Sequence, residues 1–262
     1  MKAKNFLCLA VSKDGNWIAA GTTESVVFVW DAKTYKQKYV FKADSWVKGV
    51  DFSPDSTQLV AASLSFTVTI WNIATGEEVR TLHHERSVQA ATYSPQGDRI
   101  ATLTDKHVRV WDSEDGRVLN EIHVEYHAGL FWSDDSLVLV SGNKIKKIEG
   151  STVVSEWSVP DGNKDSRIAL QDKGEFISCS TELTVTFWDA STHSHLGLIQ
   201  CHQSIRSNAL SSDDRFVAII EGHKRITIKQ LSYIWVSVVF RWIIVDFNFL
   251  SPLKFAFPGR FD

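Results

Sequence analysis

The stretch Ser94–Asp112, SPQGDRIATLTDKHVRVWD, most constrains what this chain can fold into, because its pattern returns at nearly constant spacing. Ser94-Pro95-Gln96-Gly97 has turn composition, Pro fixing one φ and Gly free to take a positive one. Arg99–Thr104 then alternates toward a strand, Asp105-Lys106 turns the chain again, and His107–Trp111 alternates before closing in Trp111-Asp112. That grammar describes two antiparallel strands joined by a tight turn. Trp30-Asp31, Trp71-Asn72 and Trp188-Asp189 end the same way, Trp71 lying 41 residues after Trp30, Trp111 40 after Trp71, and Trp188 77, or two periods, after Trp111. A unit of this length cannot cover both faces of its own sheet, so successive units must cover one another.

The intervening repeats are worn. In the fourth, Trp132–Ser136 keeps the turn, Ile148-Glu149 replaces Trp-Asp, and the second hairpin turn shrinks to Gly142-Asn143. In the sixth, Lys229-Gln230 takes the Trp-Asp place, 41 residues after Trp188. Six repeats result, near residues 5–43, 44–84, 85–124, 125–162, 163–202 and 203–232. Alternation in the second predicts strands Val47–Ser53, Gln58–Ala62, Thr67–Trp71 and Glu78–Leu82. The expected class is therefore all-β, with four strands per repeat. Trp30, Trp71, Trp111 and Trp188 share one strand register and are expected to pack inside.

Composition narrows the partners. The net charge is −3 with Lys and Arg scattered, which lacks the footprint of a nucleic-acid binder. Cys8, Cys179 and Cys201 are odd in number and widely spaced, as free thiols in a reducing, intracellular compartment are; cytoplasm is the expected site, with the nucleus also open. Met1–Val11 has an apolar run too short for a signal peptide and reads as a first strand.

The period near forty, the SPDS…VTIWNIATGEEVRTL and SPQGDRIATL…VRVWDSEDGRVL wording and the terminal Trp-Asp resemble the WD-repeat β-propeller family, and fungal arrays of it in particular. The resemblance covers residues 5–232, most of the chain. It implies a β-propeller of about six four-stranded blades, incomplete or open as one alternative, because such propellers borrow a strand from one terminus to complete the last blade and nothing precedes the first repeat here. It also implies a buried hydrogen-bonded set of His, Ser or Thr, Asp and Trp in each blade, with His84 serving Asp105 and Trp111, and His202 serving the sixth repeat.

Sites of chemistry are few. No GxSxG, HExxH, P-loop or GxGxxG motif occurs. His193, His195, Cys201 and His202 have metal-ligand types but fall where a blade carries solvated polar residues, and Asp134-Asp135 and Asp213-Asp214 fill turn positions. No metal, cofactor or catalytic set is expected, a propeller hydrolase or metal-dependent enzyme being the alternative. By resemblance, partners are gripped by residues flanking the first strand of each blade. Counted back from each turn serine, one row is Asn5, Trp46, Ser87, Tyr126, Lys164 and Ser204; the other is Leu7, Lys48, Gln89, Ala128, Ser166 and Arg206. Trp46, Lys48, Arg86, Tyr126, Lys164 and Arg206 make the candidate face, suited to an acidic or phosphorylated peptide; plain rim residues are the alternative reading. The expected function is a non-catalytic protein–protein scaffold, a fragment of a larger fungal signalling or defence protein being a further alternative.

Residues 233–262 form an atypical apolar tail without repeat marks. Three readings stand: Ile234–Phe240 as the last strand of the sixth repeat, a membrane span interrupted by Arg241, Asp246 and Asn248, or sequence that is not native coding.

Overall fold

Two small hydrogen-bonded turns build every well-kept repeat. Ser12, Ser53 and Ser94 each accept, through Oγ, the N–H of the residue five positions on, Trp17, Gln58 and Arg99, at 2.9–3.0 Å. Their carbonyls accept the N–H three positions on, from Gly15, Ser56 and Gly97, which take left-handed φ of 68°, 62° and 80°. At the other hairpin, Asp31, Asn72 and Asp112 each accept two backbone N–H groups, two and three residues on, at 2.7–3.1 Å. The second residue of each Trp-Asp pair is thus a turn acceptor, and Asn72 serves because the position needs an oxygen rather than a charge. Asp189 accepts the Thr192 N–H in the same way.

The computed structural model describes residues 5–124, 129–133, 135–141, 144–159, 167–170, 176–180, 183–189, 192, 194–210, 216–221, 225–230 and 244–245. All its regular elements are strands, in six antiparallel sheets of four taken in chain order. Blade 1 holds β1 (Phe6–Val11), β2 (Trp17–Thr22), β3 (Val26–Asp31) and β4 (Gln37–Lys42). Blade 2 holds β5 (Val47–Phe52), β6 (Gln58–Ser63), β7 (Thr67–Asn72) and β8 (Glu78–His83). Blade 3 holds β9 (Ala90–Tyr93), β10 (Arg99–Leu103), β11 (His107–Asp112) and β12 (Val118–His123). Blade 4 holds β13 (Gly129–Ser133), β14 (Ser136–Ser141), β15 (Lys144–Glu149) and β16 (Thr152–Ser158). Blade 5 holds β17 (Arg167–Leu170), β18 (Phe176–Ser180), β19 (Thr184–Asp189) and β20 (His195–Gln200). Blade 6 holds β21 (Ile205–Leu210), β22 (Phe216–Glu221), β23 (Arg225–Gln230) and β24 (Ile244–Val245). The repeat-two strands expected from alternation differ from β5–β8 by one residue at most. Ile234–Phe240 lies outside the described residues; β23 pairs with the two-residue β24, Ile228 opposite Val245.

The sheets form two compact units, Met1–Lys164 and Asp165–Asp262. In the first, blades 1, 2 and 3 each turn one face, the rear, onto the front of the blade that follows. Ala19, Val27, Val29 and Phe41 of blade 1 close over Val47, Val50, Phe52, Leu59 and Trp71 of blade 2. Val60, Val68, Ile70 and Leu82 then close over Val88, Ala91, Tyr93, Ile100 and Trp111 of blade 3. The third interface sets Val108, Val110 and Ile122 on Trp132, Leu139 and Ile148, so Ile148 keeps the buried role of the missing Trp. Phe41 stacks on Trp71 with ring centroids 4.8 Å apart. In the second unit Val185, Phe187 and Ile199 of blade 5 meet Ile205, Val217 and Ile219 of blade 6, where Lys229 is buried in the Trp register. Trp71, Trp111 and Trp188 are buried, as expected; Trp30 is only half-buried.

A second device, unmarked in the sequence, fastens the outer strands. The Tyr39 hydroxyl donates to the Ala74 carbonyl at 3.1 Å, Arg80 Nη2 to the Glu114 carbonyl at 2.8 Å, and Asn120 Nδ2 to the Gly150 carbonyl at 2.9 Å. Each links one blade to the Trp-Asp turn of the next. Gly76 and Gly116 occupy these turns at φ 76° and 74°, and a Cβ there would lie 2.5 Å from the Tyr39 ring or 2.6 Å from Arg80 Nη1. Glycine is required twice over, for the conformation and for the space.

Candidate partner-binding face

The loops that lead into β5 and β9 and the turns joining β6 to β7 and β10 to β11 gather at one edge of blades 2 and 3. Strand pairing fixes their order: Leu64 N–H donates to the Trp46 carbonyl at 3.0 Å, and His84 N–H to the Phe66 carbonyl at 2.8 Å. Trp46 stands 49% exposed just before β5, and Lys48, the second residue of β5, is exposed as well. In the next loop Arg86 Nη1 donates to Asp105 Oδ2 at 2.8 Å, an ion pair half in solvent on both sides. Such a pair contributes on the order of 0–1 kcal/mol and exchanges readily for another anion. Ser87 is less free, its hydroxyl donating to the Leu64 carbonyl at 3.0 Å.

That loop is pinned from beneath. Arg109, on β11 and mostly buried, pairs with Glu85 at 2.7 Å and with Glu121 of β12. The Arg109 hydrogen bond holds the Glu85 carboxyl below the usual carboxylate range. Arg109 was not among the expected site residues; its signal was its place opposite Glu121 on adjacent strands, a charge pair that alternation alone does not select.

The expected four-membered buried set in blade 3 is only half formed. Trp111 Nε1 donates to Thr102 Oγ1 at 2.8 Å, and the His84 ring lies edge-on to Trp111 with centroids 5.1 Å apart. Asp105, however, turns outward to Arg86, and neither His84 ring nitrogen has a hydrogen-bond partner among the described residues. Arg86 takes the Asp105 carboxylate in an ion pair half in solvent. Burial, aided by the Arg109 charge and opposed by Glu85 and Glu121, pushes the His84 imidazole down to about 4. In blade 5 Trp188 Nε1 donates to Thr186 Oγ1 at 3.1 Å, and His195 lies edge-on to Trp188; His202 is exposed.

Phe66 is the residue that sequence reasoning missed. It sits in the turn between β6 and β7 with φ 71° and its side chain 48% exposed. A bulky residue in left-handed backbone is a costly choice, and such strain concentrates at functional positions. Its signal was an aromatic at a place where turns favour Gly, Asn or Asp.

Of the other expected residues, Tyr126 and Lys164 lie outside the described residues, and Arg206 stands on β21 with its side chain outside them. Among the described residues no group of three His, Cys, Asp or Glu has metal-holding geometry, and no helix is long and apolar enough to cross a membrane. Cys201 is buried, and burial pushes the Cys8 thiol up to about 11, far from a neutral-pH nucleophile.

The sequence profile of the family described as WD domain, G-beta repeat matches residues 3–31, 35–72 and 76–112. Each match ends on the second residue of a Trp-Asp or Trp-Asn pair. Residues 3–112 are WD repeats. The chain's curated relatives among WD-repeat proteins include Periodic tryptophan protein 2 of Arabidopsis thaliana, 30% identical over 123 residues, or 45% of this chain and 14% of that protein. WD repeat-containing protein slp1 of Schizosaccharomyces pombe is 26% identical over 171 residues, 61% of this chain and 34% of its own length. Pre-rRNA-processing protein crb3/ipi3 of the same organism is 26% identical over 235 residues, 71% of this chain and 52% of its own. This chain thus spans less than two thirds of the length of each of these relatives.

Proposed function

We propose that this chain is a non-catalytic scaffold that holds a protein or peptide partner at the loop-bearing edge of blades 2 and 3. The observation that carries the reading is Trp46, a large aromatic half in solvent beside the exposed Lys48, at the place where WD repeats present side chains to partners. Phe66 at strained backbone adds a second aromatic to the same edge of blade 2. Arg86, held only by a half-exposed carboxylate, supplies a cation that an incoming anion takes over. The favoured ligand is an extended peptide with an apolar side chain between acidic or phosphorylated residues, met inside the cell.

The test is binding of the full chain to an array of acidic, phosphorylated and neutral peptides. Expected is selective capture of acidic or phosphorylated sequences, lost in Trp46→Ala combined with Lys48→Ala while the melting temperature stays unchanged. Equal capture by the double variant, or preference for neutral peptides, contradicts the proposal.

A further inference from the structure

Blade 3 brings together two histidines that stand 16 residues apart in the chain. His107 is the first residue of β11 and His123 the last of β12, and the antiparallel register sets them directly opposite each other on one face of the sheet. His123 Nδ1 lies 3.5 Å from His107 Nε2, with ring centroids 5.2 Å apart and planes at 70°. That separation is the outer limit of a hydrogen bond, and the bond needs a proton on one of the two facing nitrogens. A shared ion suits it better. Two imidazole nitrogens held by one tetrahedral zinc at the ordinary bond length stand about 3.3 Å apart. A cis pair on square-planar copper must stand closer than that.

A carboxylate stands beside the pair. Glu121 lies two residues before His123 on β12, hence on the same face, and its Oε1 is 3.7 Å from His107 Nε2, too long for a hydrogen bond. Its other oxygen, Oε2, accepts from Arg109 Nε, which orients the carboxylate with Oε1 toward His107. Arg109 is answered twice, by Glu85 and by Glu121, so these three charges sum to −1 and favour a cation. We propose that His107 Nε2, His123 Nδ1 and Glu121 Oε1 form a zinc site, the two nitrogens near bonding separation and the carboxylate closing by a small side-chain rotation. Three protein ligands leave a fourth position for water or for a group from outside the chain. The site is built within one sheet and does not rest on the peptide-binding reading. Sequence spacing hides it, because only the pairing of β11 with β12 makes the two histidines neighbours.

The test titrates zinc chloride alone into the full chain, followed by calorimetry, and repeats the titration with cobalt(II), whose visible absorption is strong only in tetrahedral surroundings. Expected is a site for a single zinc ion, weakened about a hundredfold in His107→Asn and in His123→Asn and about tenfold in Glu121→Gln. The strong cobalt bands should disappear in both histidine variants. His123 is exposed, so His123→Asn should keep the metal-free melting temperature, and its loss of zinc is then the loss of a ligand rather than of the fold. Absence of zinc uptake, uptake undiminished in either histidine variant, or only the weak cobalt bands of octahedral surroundings would each overturn the proposal.

Discussion

Lowering the pH should weaken this protein through His84 before any carboxylate is titrated. The imidazole is buried against Trp111 without a partner for either nitrogen, and its folded pKa falls from an ordinary 6.5 to about 4. The unfolded chain then binds a proton more readily than the folded one, so stability is full above pH 6.5 and declines as pH falls toward 4, below which both forms are protonated. Linkage over the interval from pH 7 to pH 5 gives a loss of about 2 kcal/mol from this one group. His84→Leu removes the titration and the two orphaned nitrogens while keeping an apolar contact with Trp111. At pH 7 the variant should lie within about 1 kcal/mol of the parent, the cavity it opens offsetting the relief of an unpaired polar group. The assay is urea unfolding of the full chain and the variant at pH 7, 6 and 5. The variant should gain about 2 kcal/mol on the parent between pH 7 and pH 5. Parallel pH profiles would refute the reasoning, because they would mean His84 is solvated or paired in the folded state.

Three further outcomes follow from the same geometry. Asn72→Ala removes the acceptor for the Ala74 and Thr75 amides and should cost about 1 kcal/mol, whereas Asn72→Asp should be tolerated, both read from urea midpoints. Gly76→Ala meets a positive φ and the Tyr39 ring at 2.5 Å, so a loss of about 2 kcal/mol is expected, part of which Tyr39→Ser should restore by opening the space. Phe66→Gly relieves left-handed strain and should raise stability by about 1 kcal/mol while weakening peptide capture, a trade that a purely structural phenylalanine would not show.

The period, the two turns and the buried tryptophans were legible because each is written in residue types that have few other uses. Ser94 and Asp112 announce acceptors, and a Trp in fixed phase with them announces a sheet-to-sheet contact. Less legible was everything set by the neighbouring blade. The bulges between Val29 and Trp30, Ile70 and Trp71, Val110 and Trp111, Lys147 and Ile148, and Phe187 and Trp188 recur before the same register position. They leave no mark in composition, because an extra residue in one strand is defined only against its partner. The outer fastenings escaped notice because Tyr39, Arg80 and Asn120 share a donor and a position but no residue type. Asp105 misled for a similar reason: its identity matched the expected set, but a competing cation, Arg86, decided where the carboxylate went. Trp30 shares the Trp register and still differs in burial.

The most direct test of the blade arrangement is amide hydrogen exchange along the full chain. Protection should peak at one-repeat intervals, in β2, β6 and β10, whose amides are paired on both sides and whose side chains are covered, and should fall in the outer strands β4, β8 and β12 between them. Uniform protection across each repeat, or peaks that do not follow the spacing of Trp30, Trp71 and Trp111, would contradict it.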